Sequence, residues 1–138
     1  MSREIKFRGK RVDNGEWVYG LLINEGRKIQ CPQEIAPNPP TRLHRAEYAI
    51  DPATVGQATG LKDKNGVMIF EGDVCTAEAF APDVMHEIVF VDCAFCAKLP
   101  NIGYCNDMTL YMCSKYEHSS LTVIGNVTDN PELLEENQ

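Results

Sequence analysis

No stretch of this chain approaches the roughly 18 consecutive apolar residues that a membrane-spanning helix requires. Met1-Ser2-Arg3-Glu4 lacks the apolar run of a secretory signal. A cytoplasmic protein is therefore expected, and in that reducing compartment the six cysteines should be thiols. A surplus of positive charge is also missing. Thirteen basic residues face twenty acidic ones, for a net charge of −7, which speaks against wrapping a nucleic-acid backbone. Long 3.6-residue periodicity is absent as well, so no helix beyond about three turns is expected.

The signatures of catalysis are equally scarce. His44, His86 and His118 lie far apart, and none belongs to a pattern such as HxH or HExxH that would gather a metal. The serines Ser2, Ser114, Ser119 and Ser120 stand in no G-x-S-x-G elbow. Gly60, Gly66 and Gly72 are not followed by Lys-Ser/Thr at the spacing a phosphate loop needs. Glu71 and Asp73 flank Gly72 and are conceivable as an acid–base pair. A carboxylate at a strand entry more often binds local backbone N–H groups, and that structural role is preferred here. The sequence thus assigns no catalytic, cofactor-binding or metal residues, implies no cofactor and gives no reason to expect an enzyme.

What is present is strand and turn chemistry. At 138 residues with 43% hydrophobic and 24% charged residues, the chain can bury a core without metals or disulfides. The densest information runs from Thr59 to Val74. Asn65-Gly66 is a strong hairpin signal, because both residues tolerate the positive φ of a primed turn. Val67-Met68-Ile69-Phe70 reads as a strand apolar on both faces. Glu71-Gly72-Asp73 then turns the chain into Val74-Cys75-Thr76-Ala77.

Upstream, Ile5 and Phe7 alternate with Lys6 and Arg8 as in a half-buried strand. Asp13-Asn14-Gly15 leads into Trp17–Ile23, where Trp17, Tyr19, Leu21 and Ile23 share one face and Val18 and Leu22 the other. Apolar on both sides, this segment is expected to be a central strand covered on both faces, with Trp17 largely buried. Asn24-Glu25-Gly26 turns again, and Lys28–Gln30 can pair back. Asn14-Gly15 and Asn65-Gly66 each precede an apolar-aromatic strand ending at a glycine, a repeated device and not a duplicated domain.

Five prolines between residues 32 and 52 exclude an inner strand or a long helix there. An extended excursion over 31–50 is expected, with a short strand at Glu47–Ile50. Asp51-Pro52 suits a helical start with Asp as the cap. His86–Val91 and Leu121–Val127 read as strands from their β-branched content. Residues 107–113 fit either a short helix capped by Asp107 or an alternating strand. Asn130-Pro131 opens a last helical turn, from which Leu133 or Leu134 folds back.

Cys93, Cys96, Cys105 and Cys113 form a C-x2-C series that a structural zinc site would use. If the strand from Ile88 continues through Phe95, Cys93 and Cys96 point to opposite faces. The neighbouring Ala94, Phe95 and Ala97 supply no knuckle glycine. Core cysteines are preferred over zinc ligands.

Four blocks in order resemble the YopX family of bacteriophage and prophage proteins. They are Arg3–Lys10 with Trp17-Val18-Tyr19-Gly20, Asp51–Asp73-Val74, Val123–Val127 and Asn130–Leu134. The resemblance implies a mainly β protein of short coiled sheets, with an SH3-like barrel in the C-terminal portion and no established activity. On this reading residues 1–138 form one domain. An N-terminal β lobe takes 1–50 and the barrel lobe takes 51–134, in the cytoplasm of a bacterial host.

The expected role is a non-catalytic module that binds a protein partner or its own copies. Small sheets leave edges to be paired, and the basic segment Arg3–Arg11 contrasts with the acidic Asp129–Glu136. The alternative is nucleic-acid binding through the basic N-terminal edge, with Arg42, His44 and Arg45 alongside, and the second alternative is an enzyme of unrecognised type. Alternation places Phe7 opposite Lys6 and Arg8, which would bury the ring that bases stack on.

Overall fold

The fold was described from a computed structural model. It describes residues 6–31, 34–35, 43–44, 46–77, 84–91, 93–99, 105–107 and 120–135. These are almost entirely antiparallel β-structure, as the sequence indicates. They fall into two compact units, Met1–Gln57 and Ala58–Gln138.

In the first unit, β1 (Phe7–Lys10) pairs with β2 (Trp17–Ile23), which pairs with β3 (Lys28–Gln30), which pairs with β6 (Glu47–Ala49). On its other side β1 pairs with the first residues of β7 (Gly56–Lys62), through Phe7↔Gln57 and Arg8↔Gly56. Two short strands, β4 (Glu34–Ile35) and β5 (Leu43–His44), pair within the proline-rich excursion. The turns behave as their residues dictate. Gly15 takes φ +73, and the Asn14 side chain accepts from Glu16 N at 3.0 Å. Asp51 caps the single turn Pro52–Thr54 by accepting from Ala53 N at 3.0 Å.

The core of this unit centres on Ile29 and Ile50, at 0% and 3% exposure. Gly9 faces them, and a Cβ there would lie 2.9 Å from Ile50 Cδ1. The opposite face of the sheet is partly exposed. Tyr19 and Leu21 are 40% and 54% exposed, and Trp17 is only half-buried. Strand β2 is central in its hydrogen bonding, as expected. The expectation that it is covered on both faces, with Trp17 largely buried, is corrected: apolar residues on both sides of a strand do not guarantee a covering layer for each.

In the second unit the remainder of β7 pairs with β8 (Met68–Phe70) around the Asp63–Val67 turn. The hairpin expected at Asn65-Gly66 is present, but in a different form. Only Gly66 has positive φ, at +84, and Gly66 N donates to Asp63 O while Asp63 N donates to Val67 O. This is an ordinary turn followed by a left-handed glycine, not a primed two-residue turn.

Strands β9 (Asp73–Ala77), β10 (His86–Val91), β11 (Ala94–Lys98), β12 (Cys105–Asp107) and β13 (Leu121–Asn126) form one sheet in the order β12-β11-β10-β9-β13. Among the described residues this row is open, with β12 and β13 at its ends. Ile69, Cys75, Ala77, Ile88, Ala97 and Leu121 make its core, flanked by Leu61, Phe95 and Val123. The short helix α1 (Glu132–Glu135) follows Asn130. Leu133 folds back against β13, where a Cβ on Gly125 would lie 2.9 Å from Leu133 Cδ1.

Candidate binding face

Cross-strand partners in an antiparallel sheet project to the same side. The register Arg8↔Tyr19 and Lys10↔Trp17 therefore puts the cations of β1 beside the aromatic rings of β2. The contacts agree. The Arg8 guanidinium carbon lies 4.7 Å from the centre of the Trp17 ring, and Lys10 Nζ lies 5.6 Å from the same ring. Lys6 Nζ lies 5.7 Å from the Tyr19 ring. Each distance is within the range at which a cation is drawn to the negative face of an aromatic ring. Arg8 is buried under this arrangement, at 7% exposure, while Lys6 and Lys10 are half-buried. The face extends across β2 and β3 through Leu21↔Gln30, and Gln30 Nε2 donates to Glu47 Oε2 at 3.5 Å.

Two parts of the sequence reading change here. The basic segment does not lie on an edge strand, because β1 has β2 on one side and β7 on the other. Nor are its aromatic partners lost to the core. Phe7 alternates away from Lys6 and Arg8, but Trp17 and Tyr19 from the neighbouring strand occupy the cationic side. Heptad-free alternation within one strand gave the side of each residue, and pairing between strands supplied the rings.

Arg11 is not part of this group. Its guanidinium stacks 4.3 Å from the Tyr48 ring and donates twice to Asp13, at 2.9 and 2.7 Å. That paired hydrogen bond holds the Asp13 carboxyl below its usual range and raises Arg11. Arg3, Arg42 and Arg45, and the side chain of His44, lie outside the described residues.

The charge is divided between the units. Residues 1–57 contain nine basic and seven acidic residues, and residues 58–138 contain four and thirteen. The acidic balance of the whole chain therefore resides in the residues of the second unit.

The other candidates occupy structural positions. Asp73 is buried, and its Oδ2 accepts from Phe70 N at 2.8 Å, the local backbone role expected at that turn. The strand from His86 ends at Val91 and does not continue through Phe95, so the opposite-face condition is not met; Cys93 sits exposed in a turn with φ +67. Cys96 is buried on β11, Cys105 starts β12, and Cys113 lies outside the described residues. Asp107 ends β12, and residues 108–113 also lie outside them.

His86 is fully buried, with Nδ1 2.9 Å from the Val84 carbonyl. Burial lowers its pKa, while the Val84 and Cys75 carbonyls act in the opposite sense. Among the described residues, no group of three or more His, Cys, Asp or Glu side chains gathers to hold a metal, and no helix is long and apolar enough to cross a membrane.

Comparison with known proteins places this geometry in a family. The family model described as YopX protein matches residues 6–135. The chain belongs to the YopX family. A solved structure similar to this chain is that of protein EF1440 from Enterococcus faecalis, a crystal structure that superposes with a TM-score of 0.58 at 29% identity. The match covers 96% of this chain and 99% of that one. No curated protein matches the chain. Within the YopX match lie both strands of the cationic-aromatic face and the Asp63–Val67 hairpin.

Proposed function

We propose that this YopX-family chain is a bacteriophage or prophage accessory protein of the host cytoplasm that acts by binding and not by catalysis. Its working surface is the open face of the first unit. One observation carries this reading: Tyr19 and Leu21 stay exposed on a strand that is hydrogen-bonded on both sides, next to Lys6, Arg8 and Lys10. Exposing Tyr19 and Leu21 within a sheet forgoes burial worth roughly 25 cal/mol per Å², and such surface marks interaction sites. The SH3-like barrel of the C-terminal portion belongs to the same proposal, supported by five antiparallel strands in one row.

The test is affinity capture from prophage-carrying cells, with and without nuclease, comparing the wild type with a Tyr19→Glu, Lys10→Glu variant of unchanged melting temperature. Loss of the captured partner in the variant is expected. Equal capture by both proteins overturns the assignment of this face.

A second reading, self-association, is favoured by the division of charge between the units. Attraction between the basic face of one copy and the acidic unit of another would weaken with salt, since the screening length falls to about 3 Å at 1 M. Light scattering at low salt should then give more than one chain's mass, falling as salt rises. A single-chain mass at high protein concentration and low salt rules it out.

A further inference from the structure

We propose that the open face of the first unit is a platform for single-stranded nucleic acid, with Tyr19 as the ring on which a base stacks. Lys6 and Lys10 meet the phosphates on either side of it. This rests on the reading of the chain as a binding module acting through that face, and names its ligand.

Three features converge on this ligand class. Tyr19 is 40% exposed near the middle of β2, flanked along the same strand by half-buried Trp17 and exposed Leu21. A base offers a flat π-surface of any sequence to such a ring, and each stacked base contributes about 1–3 kcal/mol. Secondly, the cations lie in register beside the rings and not at a distance from them: Arg8 opposite Tyr19, Lys10 opposite Trp17, and Lys6 over the Tyr19 ring. A strand whose bases lie on β2 thus has positive charge along its backbone on β1.

Thirdly, the division of labour within the cluster suits stacking. Trp17 is approached by both Arg8 and Lys10, and Arg8 is buried, so this pair fixes the platform while Tyr19 remains accessible. An acidic peptide would use the lysines but leave the exposed Tyr19 ring without a role. A duplex hides its base faces and would likewise leave that ring unused. The net charge of −7 does not oppose the proposal at this face. The residues of the first unit are on balance basic, nine against seven acidic.

Trp17 is the only tryptophan of the chain, so its fluorescence reports on this face alone. The experiment titrates the full-length protein with a labelled 20-mer of deoxythymidine, the corresponding duplex, and a poly-glutamate peptide. Trp17 emission and probe anisotropy are followed at low and rising salt. The expected result is Trp17 quenching with the single strand, weaker binding of the duplex, and an affinity that falls steeply with salt.

Tyr19→Ala should weaken single-strand binding about tenfold or more while Tyr19→Phe retains it, because the ring and not the hydroxyl is used. Lys6→Gln with Lys10→Gln should reduce the slope of log K against log salt by about 1.4, at roughly 0.7 per phosphate contact. Melting temperatures of the variants distinguish lost binding from lost folding. Binding unaffected by Tyr19→Ala, or a duplex bound as tightly as the single strand, overturns the proposal. If poly-glutamate shifts Trp17 emission and the oligonucleotide does not, the nucleic-acid assignment falls and the binding face stands. If neither does, and the face variants capture the same cellular partners as the wild type, both fall.

Discussion

The Asp63 carboxylate accepts a hydrogen bond from the backbone N–H of Val123, 60 residues further along the chain, at 3.0 Å. Its other oxygen accepts from Asn65 N and Val67 N, at 2.8 and 2.9 Å, within its own turn. One buried side chain thus closes the hairpin between β7 and β8 and ties it to β13. Lys64 N, which donates to the Leu121 carbonyl at 2.9 Å, makes a second tie beside it.

Asp63→Ala should therefore be among the more damaging single substitutions in the second unit. It strands three backbone donors around a residue only 1% exposed, for a cost of about 3 kcal/mol. Asp63→Asn keeps one acceptor oxygen and should lose roughly half as much. Chemical denaturation of the two variants checks the order; equal stability of Asp63→Ala and the wild type would contradict the role given to this carboxylate.

Gly20 is fixed by contact as well as by conformation. Its φ is +157, and a Cβ would run into the Gln30 carbonyl, whose carbon would be 2.9 Å away. Because the obstacle is backbone of the neighbouring strand, relief requires the sheet to move. Gly20→Ala should cost about 2–3 kcal/mol, read from the denaturation midpoint. Gly66→Ala, with no atom within 4 Å of the new Cβ but a φ of +84, should cost only about 1 kcal/mol.

The contrast between Ile69 and Phe90 tests which apolar residues hold the second unit together. Ile69 is 0% exposed in the core, whereas Phe90 is 51% exposed and meets Phe95 edge-on at 4.9 Å between ring centres. Ile69→Ala should destabilise by about 2–5 kcal/mol. Phe90→Ala should lose about 1 kcal/mol, mainly the ring pair. A reversed order in thermal or denaturant unfolding would show that the core has been misplaced.

His86 gives stability a pH dependence of known sign. Burial lowers its folded-state pKa below the ordinary value of 6.5, so below that pH the unfolded chain binds a proton that the folded chain excludes. The contribution is complete above pH 6.5 and is lost as pH falls towards the depressed folded value, at up to about 1.4 kcal/mol per pH unit for one proton. Denaturation midpoints between pH 7.5 and 5.5 should fall more steeply for the wild type than for His86→Gln. Parallel profiles would assign the dependence to other groups.

The parts of this structure that were legible in the sequence are those controlled by a few neighbouring residues. Asp13-Asn14-Gly15, Asn24-Glu25-Gly26 and Asp51-Pro52 form turns where expected, since positive φ and capping are local properties. The hairpin at 65–66 was legible in place but not in type. Its geometry is set partly by the Asp63 side chain, which reaches both the turn and a strand remote in sequence. The strand boundary before Cys93 was left open by the sequence for a related reason. A turn with a non-glycine residue at positive φ gives little compositional signal, and the flanking Phe90↔Phe95 and Val91↔Ala94 pairs define it only once the strands meet.

By itself the sequence determined that the chain is mainly β, where most of its turns fall, and to which family it belongs. Strand alternation and turn chemistry act over two to four residues, so they survive without knowledge of distant neighbours. Tertiary structure decided that β1 lies between β2 and β7, and that the Trp17–Tyr19–Leu21 side of β2 faces outward beside Lys6, Arg8 and Lys10. It also decided that Asp63 is buried against β13. Alternation divides a strand into two faces but cannot say which receives a covering layer. That depends on pairings such as Arg8↔Gly56, 48 residues apart, whose closure is a property of the whole chain.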